Sequence, residues 1–117
     1  MYIGEVARLA GATPKAIRHY EALGLLGAVS RAGAYRTYAA SELLQVQLIK
    51  QAQRLGFRLH ELQTVLAGAS AAPDWPALIR AMQAKRLSIQ QEVQRYQALD
   101  HELALAIEET RSCTELG

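Results

Sequence analysis

Three sets of side chains in this sequence have the types and spacing to do chemistry. Lys15, Arg18, His19 and Ala22 recur at helical steps, so a helix over this stretch carries its cations on one face. Arg31, Tyr35, Arg36 and Tyr38 crowd into the eight residues 31–38. The third is a lone thiol, Cys113. The first two sets can neutralise and hydrogen-bond phosphate oxygens. A helix presenting such groups can also reach base edges, because the major groove is wide enough to admit it.

A basic helix face is by itself an ordinary solvated surface, so its surroundings decide how it is read. The formal net charge of +2 divides unevenly: residues 1–60 carry +5 and residues 61–117 carry −3. A basic first half tied to an acidic second half fits a polyanion-binding head. Tyr35 and Tyr38 beside Arg31 and Arg36 suit a hairpin that grips a sugar-phosphate backbone. Enzyme chemistry finds no footing: there is no Ser/His/Asp set at usable positions, no Gly-rich phosphate loop and no paired-carboxylate arrangement beyond ordinary helical surface.

The thiol is more ambiguous. One cysteine excludes an intrachain disulfide framework and fits a reducing cytoplasm, where this chain is expected. One thiolate is also a poor metal site, since Zn(II) takes about four ligands and linear Cu(I) two. His101 lies twelve residues before Cys113, too far up a helix to share an ion within one chain. An inert thiol, one ligand of a site completed by another subunit, and an oxidant or electrophile sensor all stay open.

The elements that must position these groups emerge from periodicity and punctuation. Ile3, Val6, Leu9 and Ala10 share a face of a helix over about 3–10, which Gly11 stops. Thr13 caps a second helix, Pro14 suits its first position, and it runs to Leu23 before Gly24. Two short helices joined by Gly11-Ala12 match a helix-turn-helix. Periodicity then disappears, and residues 31–38 read as a small β-hairpin. A third helix from about Ser41 carries Leu44, Leu48, Ala52 and Leu55 as its apolar row, and a fourth covers about 59–67. Small residues with Gly and Pro over 67–74 read as a linker, and Asp74 suits the cap of the helix after it.

From Pro76 to Gly117 no Gly or Pro intervenes, and apolar residues recur at 78, 82, 89, 93, 96, 99, 103 and 107. At ~1.5 Å per residue this is one helix of ~50 Å with a single apolar seam. Such a seam needs a partner, most economically the same helix from a second chain, the alternative being a helix that folds back across its own head. Ile89, Val93, Tyr96, Leu99, Leu103 and Ile107 are the candidate interface. No apolar run approaches the ~18–20 residues of a membrane span, so no membrane association is expected.

The strings Ile3-Gly-Glu-Val-Ala-Arg-Leu-Ala-Gly11, Thr13-Pro-Lys-Ala-Ile-Arg-His-Tyr-Glu-Ala-Leu-Gly-Leu25, Tyr35-Arg-Thr-Tyr38 and Leu55-Gly-Phe-Arg-Leu-His-Glu-Leu62 resemble the MerR family of transcriptional regulators. The resemblance covers the N-terminal head, with the motifs in the family's order. The C-terminal helix resembles the family's antiparallel dimerisation helix by pattern. Cys113 stands near where metal-sensing members place the first thiolate of their metal-binding loop.

The resemblance implies a homodimer on a near-palindromic operator in promoter DNA, distorted under control of an effector to suit RNA polymerase. By position, Lys15, Arg18, His19 and Tyr20 match recognition-helix contacts, and Arg31, Tyr35, Arg36 and Tyr38 match the wing. Where the family often has Asn-Gly-Tyr at the wing's turn, this chain has Gly33-Ala34-Tyr35.

The expected architecture is therefore all-α with a β-hairpin wing: a winged helix-turn-helix head over 1–70, a linker at 71–75, a dimerisation helix over 76–112 and an effector-region tail at 113–117. The expected function is a sequence-specific DNA-binding regulator answering an effector such as a soft metal ion bound through Cys113. The alternatives are a regulator sensing an oxidant, electrophile or small molecule, and a coiled-coil interaction protein with a basic head.

Overall fold

The computed structural model describes residues 1–27, 29–67 and 72–116. Its elements are α1 (Ile3–Ala10), α2 (Pro14–Ala22), β1 (Ser30–Ala32), β2 (Tyr35–Thr37), α3 (Ala40–Arg54), α4 (Leu59–Leu66) and α5 (Trp75–Leu116). The expected class holds: helices, one two-stranded antiparallel hairpin, and a long last helix. No helix among the described residues is long and apolar enough to cross a membrane.

Residues Met1–Ile79 form one compact unit. Within it α1 packs on α2 and α3. The core joins Val6 and Ala7 of α1, Ile17 and Tyr20 of α2, Val46, Ile49 and Ala52 of α3, and Leu62 and Leu66 of α4. Tyr38, just after the wing, is sealed into the same core.

Local chemistry sets the helix ends. The Thr13 hydroxyl accepts from the Ala16 N–H at 3.1 Å, with Pro14 at the first helical position, where it has no N–H to leave unpaired. After α2, Gly24 takes a left-handed φ of 74°. The Leu25 N–H then reaches the Tyr20 carbonyl and the Gly24 N–H the Glu21 carbonyl, both at 3.0 Å, closing a Schellman turn that points Leu25 into the core. Glu42 and Glu61 each accept the backbone N–H of the residue before their helix, at 3.1 Å in both cases.

Two expectations change. The buried row of α3 is Val46, Ile49 and Ala52, whereas Leu44 and Leu55 are exposed and Leu48 is half-buried. This helix is apolar on more than one side, so period alone leaves its inward face undetermined; packing against α1 selects it. The last helix begins at Trp75 and passes through 113–116, where a tail was expected. Nothing in the residues before Gly117 breaks a helix.

Within the expected linker, residues 68–71 lie outside the described ones. Beyond them the Asp74 N–H donates to the Leu66 carbonyl at 2.9 Å, and its carboxylate accepts the Ala77 N–H at 3.1 Å, capping α5 as anticipated. The second unit begins at Arg80 and holds the remainder of α5. Ile89, Val93, Tyr96, Leu99, Leu103 and Ile107 are all exposed on it.

Candidate nucleic-acid interface

Burial of Ile17 and Tyr20 fixes the rotation of α2 about its axis. With those two inward, Lys15, Arg18, His19 and Ala22 are all exposed. The wing brings the second set of cations to the same place. Its strands pair Ser30 with Thr37, Arg31 with Arg36 and Ala32 with Tyr35. The connecting residues are Gly33 and Ala34, and only Gly33 has a positive φ, of 62°. A left-handed residue at the first turn position alone is the type II′ pattern, which favours Gly there; Asn-Gly favours type I′. The hairpin is thus closed by a turn that suits Gly33, not by the one that Asn-Gly would favour.

Directly opposed residues in an antiparallel ladder point to the same face, so Arg31 and Arg36 form a like-charge pair, which is destabilising by itself. One carboxylate offsets it. Glu21 of α2 accepts from Arg36 Nε at 2.7 Å, and its other oxygen lies 3.4 Å from the Tyr38 hydroxyl. Helix α2 and the hairpin are therefore tied through Glu21. The Arg36 side chain is still 37% exposed, which leaves it a face toward solvent. Tyr35 is 71% exposed and packs edge-to-face on Tyr2, with ring centroids 6.1 Å apart. Tyr2, Ile3, Arg18, Ala34, Tyr35 and Arg36 together line an open cleft of about 200 Å³.

Two expected contact residues are not at this surface. Tyr20 is 3% exposed and donates its hydroxyl to Gln53 Oε1 of α3 at 2.7 Å. Tyr38 is 2% exposed and faces Glu21. Both rings fill core volume while their hydroxyls meet internal acceptors, so they hold the helix and the wing in place. Burial raises the Tyr20 pKa above its ordinary 10.0. Burial raises that of Tyr38 as well, helped by the charge of Glu21 and opposed by Arg36.

Three contributors escaped the sequence reading: Glu21, Gln53 and Tyr2. Glu21 had a signal, being the only acid on a helix otherwise cationic and therefore in need of a cation. Gln53 and Tyr2 had none, because each matters through a contact with a distant residue.

Cys113 is exposed on α5. Among the described residues no group of three or more His, Cys, Asp or Glu is placed to hold a metal. A single thiolate does not satisfy a soft metal ion, so the described residues of one chain do not by themselves make such a site.

Comparison with known proteins agrees with this geometry. The family described as MerR HTH family regulatory protein matches residues 1–69, and the one described as MerR, DNA binding matches residues 43–106. The HTH-type transcriptional regulator HmrR of Sinorhizobium medicae is 38% identical over 68 residues, which are 57% of this chain and 46% of that protein. The HTH-type transcriptional regulator CueR of Escherichia coli O157:H7 is 44% identical over 62 residues, 52% of this chain and 46% of that protein. A probable heavy metal-dependent transcriptional regulator of Haemophilus influenzae is 40% identical over 68 residues, 57% of this chain and 53% of that protein. The chain thus spans about half the length of these relatives.

Among solved structures, a putative MerR family transcriptional regulator from Listeria monocytogenes superposes with a TM-score of 0.60 at 19% identity, covering 92% of this chain and 83% of that one. A lead(II)-bound transcription regulator from Ralstonia metallidurans gives 0.54 at 23% identity, covering 88% and 82%. These two likenesses show the fold. With the family match extending over more than half of its residues, the chain belongs to the MerR family of helix-turn-helix regulatory proteins.

Proposed function

We propose that this chain is a sequence-specific transcription regulator that binds promoter DNA as a homodimer and distorts it in response to an effector. One observation carries the reading: Arg18 of the recognition helix and Tyr35 and Arg36 of the wing line one cleft. A phosphate entering there meets both guanidinium groups. The like-charged Arg31–Arg36 pair, only partly neutralised by Glu21, is relieved by a polyanion and by little else. Lys15, Arg18 and His19 take phosphates and base edges from the helix, Arg31, Tyr35 and Arg36 take the backbone from the wing, and Tyr20 and Tyr38 set the angle between the two.

The homodimer supplies two such heads on a site with matching two-fold symmetry. Bending and untwisting a site of 20–30 bp costs roughly 1–6 kcal/mol. A change of subunit arrangement driven by an effector can supply energy on that scale, and realigned promoter elements are what RNA polymerase would read.

Footprinting and anisotropy on a selected operator test this. Arg18→Ala leaves the protein folded and abolishes the footprint. If Arg18 holds a phosphate, the salt slope of binding also falls by about 2 per dimer, one unit for each copy. An unchanged footprint rejects the role of Arg18, and binding without duplex preference at low salt rejects the regulator in favour of a basic interaction module.

The relatives favour a soft metal ion as effector, since one is described as heavy metal-dependent and a structural neighbour holds lead(II). Residues 1–117 offer a single thiolate, so the remaining ligands have to come from outside them. In vitro transcription with Cu(I), Zn(II), Hg(II), Pb(II) and oxidants, on wild type and Cys113→Ser, separates a metal effector from a redox one.

A further inference from the structure

The seam of α5 keeps a strict seven-residue count. With Ile79 at position a, the a positions are Ile79, Arg86, Val93, Asp100, Ile107 and Thr114. The d positions are Met82, Ile89, Tyr96, Leu103 and Thr110. Ile89, Val93, Tyr96, Leu103 and Ile107 are 48–63% exposed, so the row between the two charges, and on to Ile107, is uncovered. Two residues in it are charged, of opposite sign and two heptads apart, with Val93 midway between them.

Neither charge has an opposite charge within helical reach. Three and four residues from Arg86 lie Met82, Gln83, Ile89 and Gln90; around Asp100 lie Tyr96, Gln97, Leu103 and Ala104. Charges at seam positions without a partner on their own helix are costly once the seam is covered. Whatever covers it therefore has to bring a carboxylate to Arg86 and a cation to Asp100.

In the antiparallel homodimer that the family resemblance implies, we propose that Arg86 of each chain pairs with the partner's Asp100. The inference rests on the homodimer reading above and adds what sets the register of α5 on α5. In a parallel pair in register, a meets a, which sets Arg86 against Arg86 and Asp100 against Asp100 inside the interface. In an antiparallel pair, a faces d and the two sites exchange ends.

When Val93 faces the partner's Tyr96, Ile89 faces the partner's Asp100 and Arg86 lies one layer away, about 4.5 Å along the axis. Two-fold symmetry makes the same contact twice. This register also sets Trp75 level with the partner's Thr114, so the two helices, Trp75–Leu116, overlap almost end to end. Sliding by one heptad one way separates the charges by about 15 Å along the axis. Sliding the other way keeps them about 6 Å apart but leaves the last two turns of each helix uncovered.

Sedimentation velocity on the full chain tests the proposal with wild type, R86D, D100R and the double swap R86D/D100R, with circular dichroism to verify helicity. Each single reversal opposes like charges at both symmetric sites and raises the dimer dissociation constant by about a hundredfold or more. The double swap exchanges the two charges and returns it to within about tenfold of wild type. Single reversals that dimerise like wild type overturn the proposal, because a parallel pair merely trades one like-charge layer for another. A double swap no tighter than the singles overturns it as well. If a reversal unfolds the chain, R86Q, D100N and their double give the same cycle, and zero coupling is the refuting result. A wild-type chain that sediments as a monomer defeats the homodimer reading itself.

Discussion

Replacing Glu21 by Gln tests whether the recognition helix and the wing act as one unit. The substitution keeps the side chain's shape and removes its charge. The bond from Arg36 Nε to Glu21 Oε1 is 2.7 Å long and charge-assisted, a class worth about 1.5–3 kcal/mol net. Since the Arg36 side chain is 37% exposed, water screens the pair and brings its worth below that range, to about 1 kcal/mol. The Tyr38 hydroxyl at 3.4 Å is longer than an ordinary O–H···O bond and adds a few tenths at most. A loss of about 1 kcal/mol in a unit of this size lowers Tm by about 4–8 °C.

The DNA readout separates this account from a purely structural one. Glu21→Gln also leaves Arg31 and Arg36 opposed without a carboxylate, so the cleft becomes more cationic while the wing loses its tether. Non-specific binding at low salt therefore rises, and operator binding falls. About 1 kcal/mol at each of two heads is about a 30-fold drop in the ratio of specific to non-specific affinity. Fluorescence anisotropy with operator and scrambled duplexes measures that ratio, and a spectrophotometric titration tracks Tyr38. Without the neighbouring carboxylate, Tyr38 ionises at lower pH than in wild type. An unchanged Tm together with an unchanged specificity ratio refutes the lock.

Three further outcomes are expected. Tyr20→Phe strands Gln53 and lowers stability by about 1 kcal/mol, yet keeps operator affinity within about threefold; a large loss of affinity at unchanged stability makes Tyr20 a DNA contact after all. The raised pKa values of Tyr20 and Tyr38 mean that folding favours their neutral forms, so this contribution is complete below pH 10 and lost as pH rises through the raised values. Chemical denaturation across alkaline pH checks the sign, and Tyr20→Phe should flatten the decline. Leu103→Glu places a charge in the seam of α5 and should dissociate the dimer, whereas an intact dimer in sedimentation would move the interface elsewhere.

The path of the head was legible because its breaks are chemical. Thr13-Pro14 and Gly24 leave few choices for where α2 begins and ends, and Tyr/Thr residues after Gly33 leave few for the wing. Faces were harder to read. On α2 the helical period already sets Tyr20 beside Ile17, and the core agrees; only the family's motif drew Tyr20 to the DNA surface. Across α3 and its end, Leu43, Leu44, Val46, Leu48, Ile49 and Leu55 make more than one apolar row, and packing against α1 helps decide between them. Contacts such as Tyr20–Gln53, with partners 33 residues apart, have no local sequence signal.

On the homodimer reading, the two units fail in different ways, and concentration tells them apart. Operator binding needs two heads, so DNA affinity is linked to subunit association by mass action. A defect confined to α5, such as Leu103→Glu or a single reversal of Arg86, weakens operator binding most at low protein concentration and is overcome as protein is added. A defect in the Glu21–Arg36 lock leaves association intact and lowers the specificity ratio equally at every concentration. The cross-over comes from where the apolar surface lies. In the first unit a core is buried within the chain, so that unit's stability is its own; along residues 86–115 the apolar surface is exposed, so its burial waits on a second chain. An isotherm for Glu21→Gln that recovers wild-type specificity at high protein concentration would contradict this division, because it would make the lock a consequence of dimerisation.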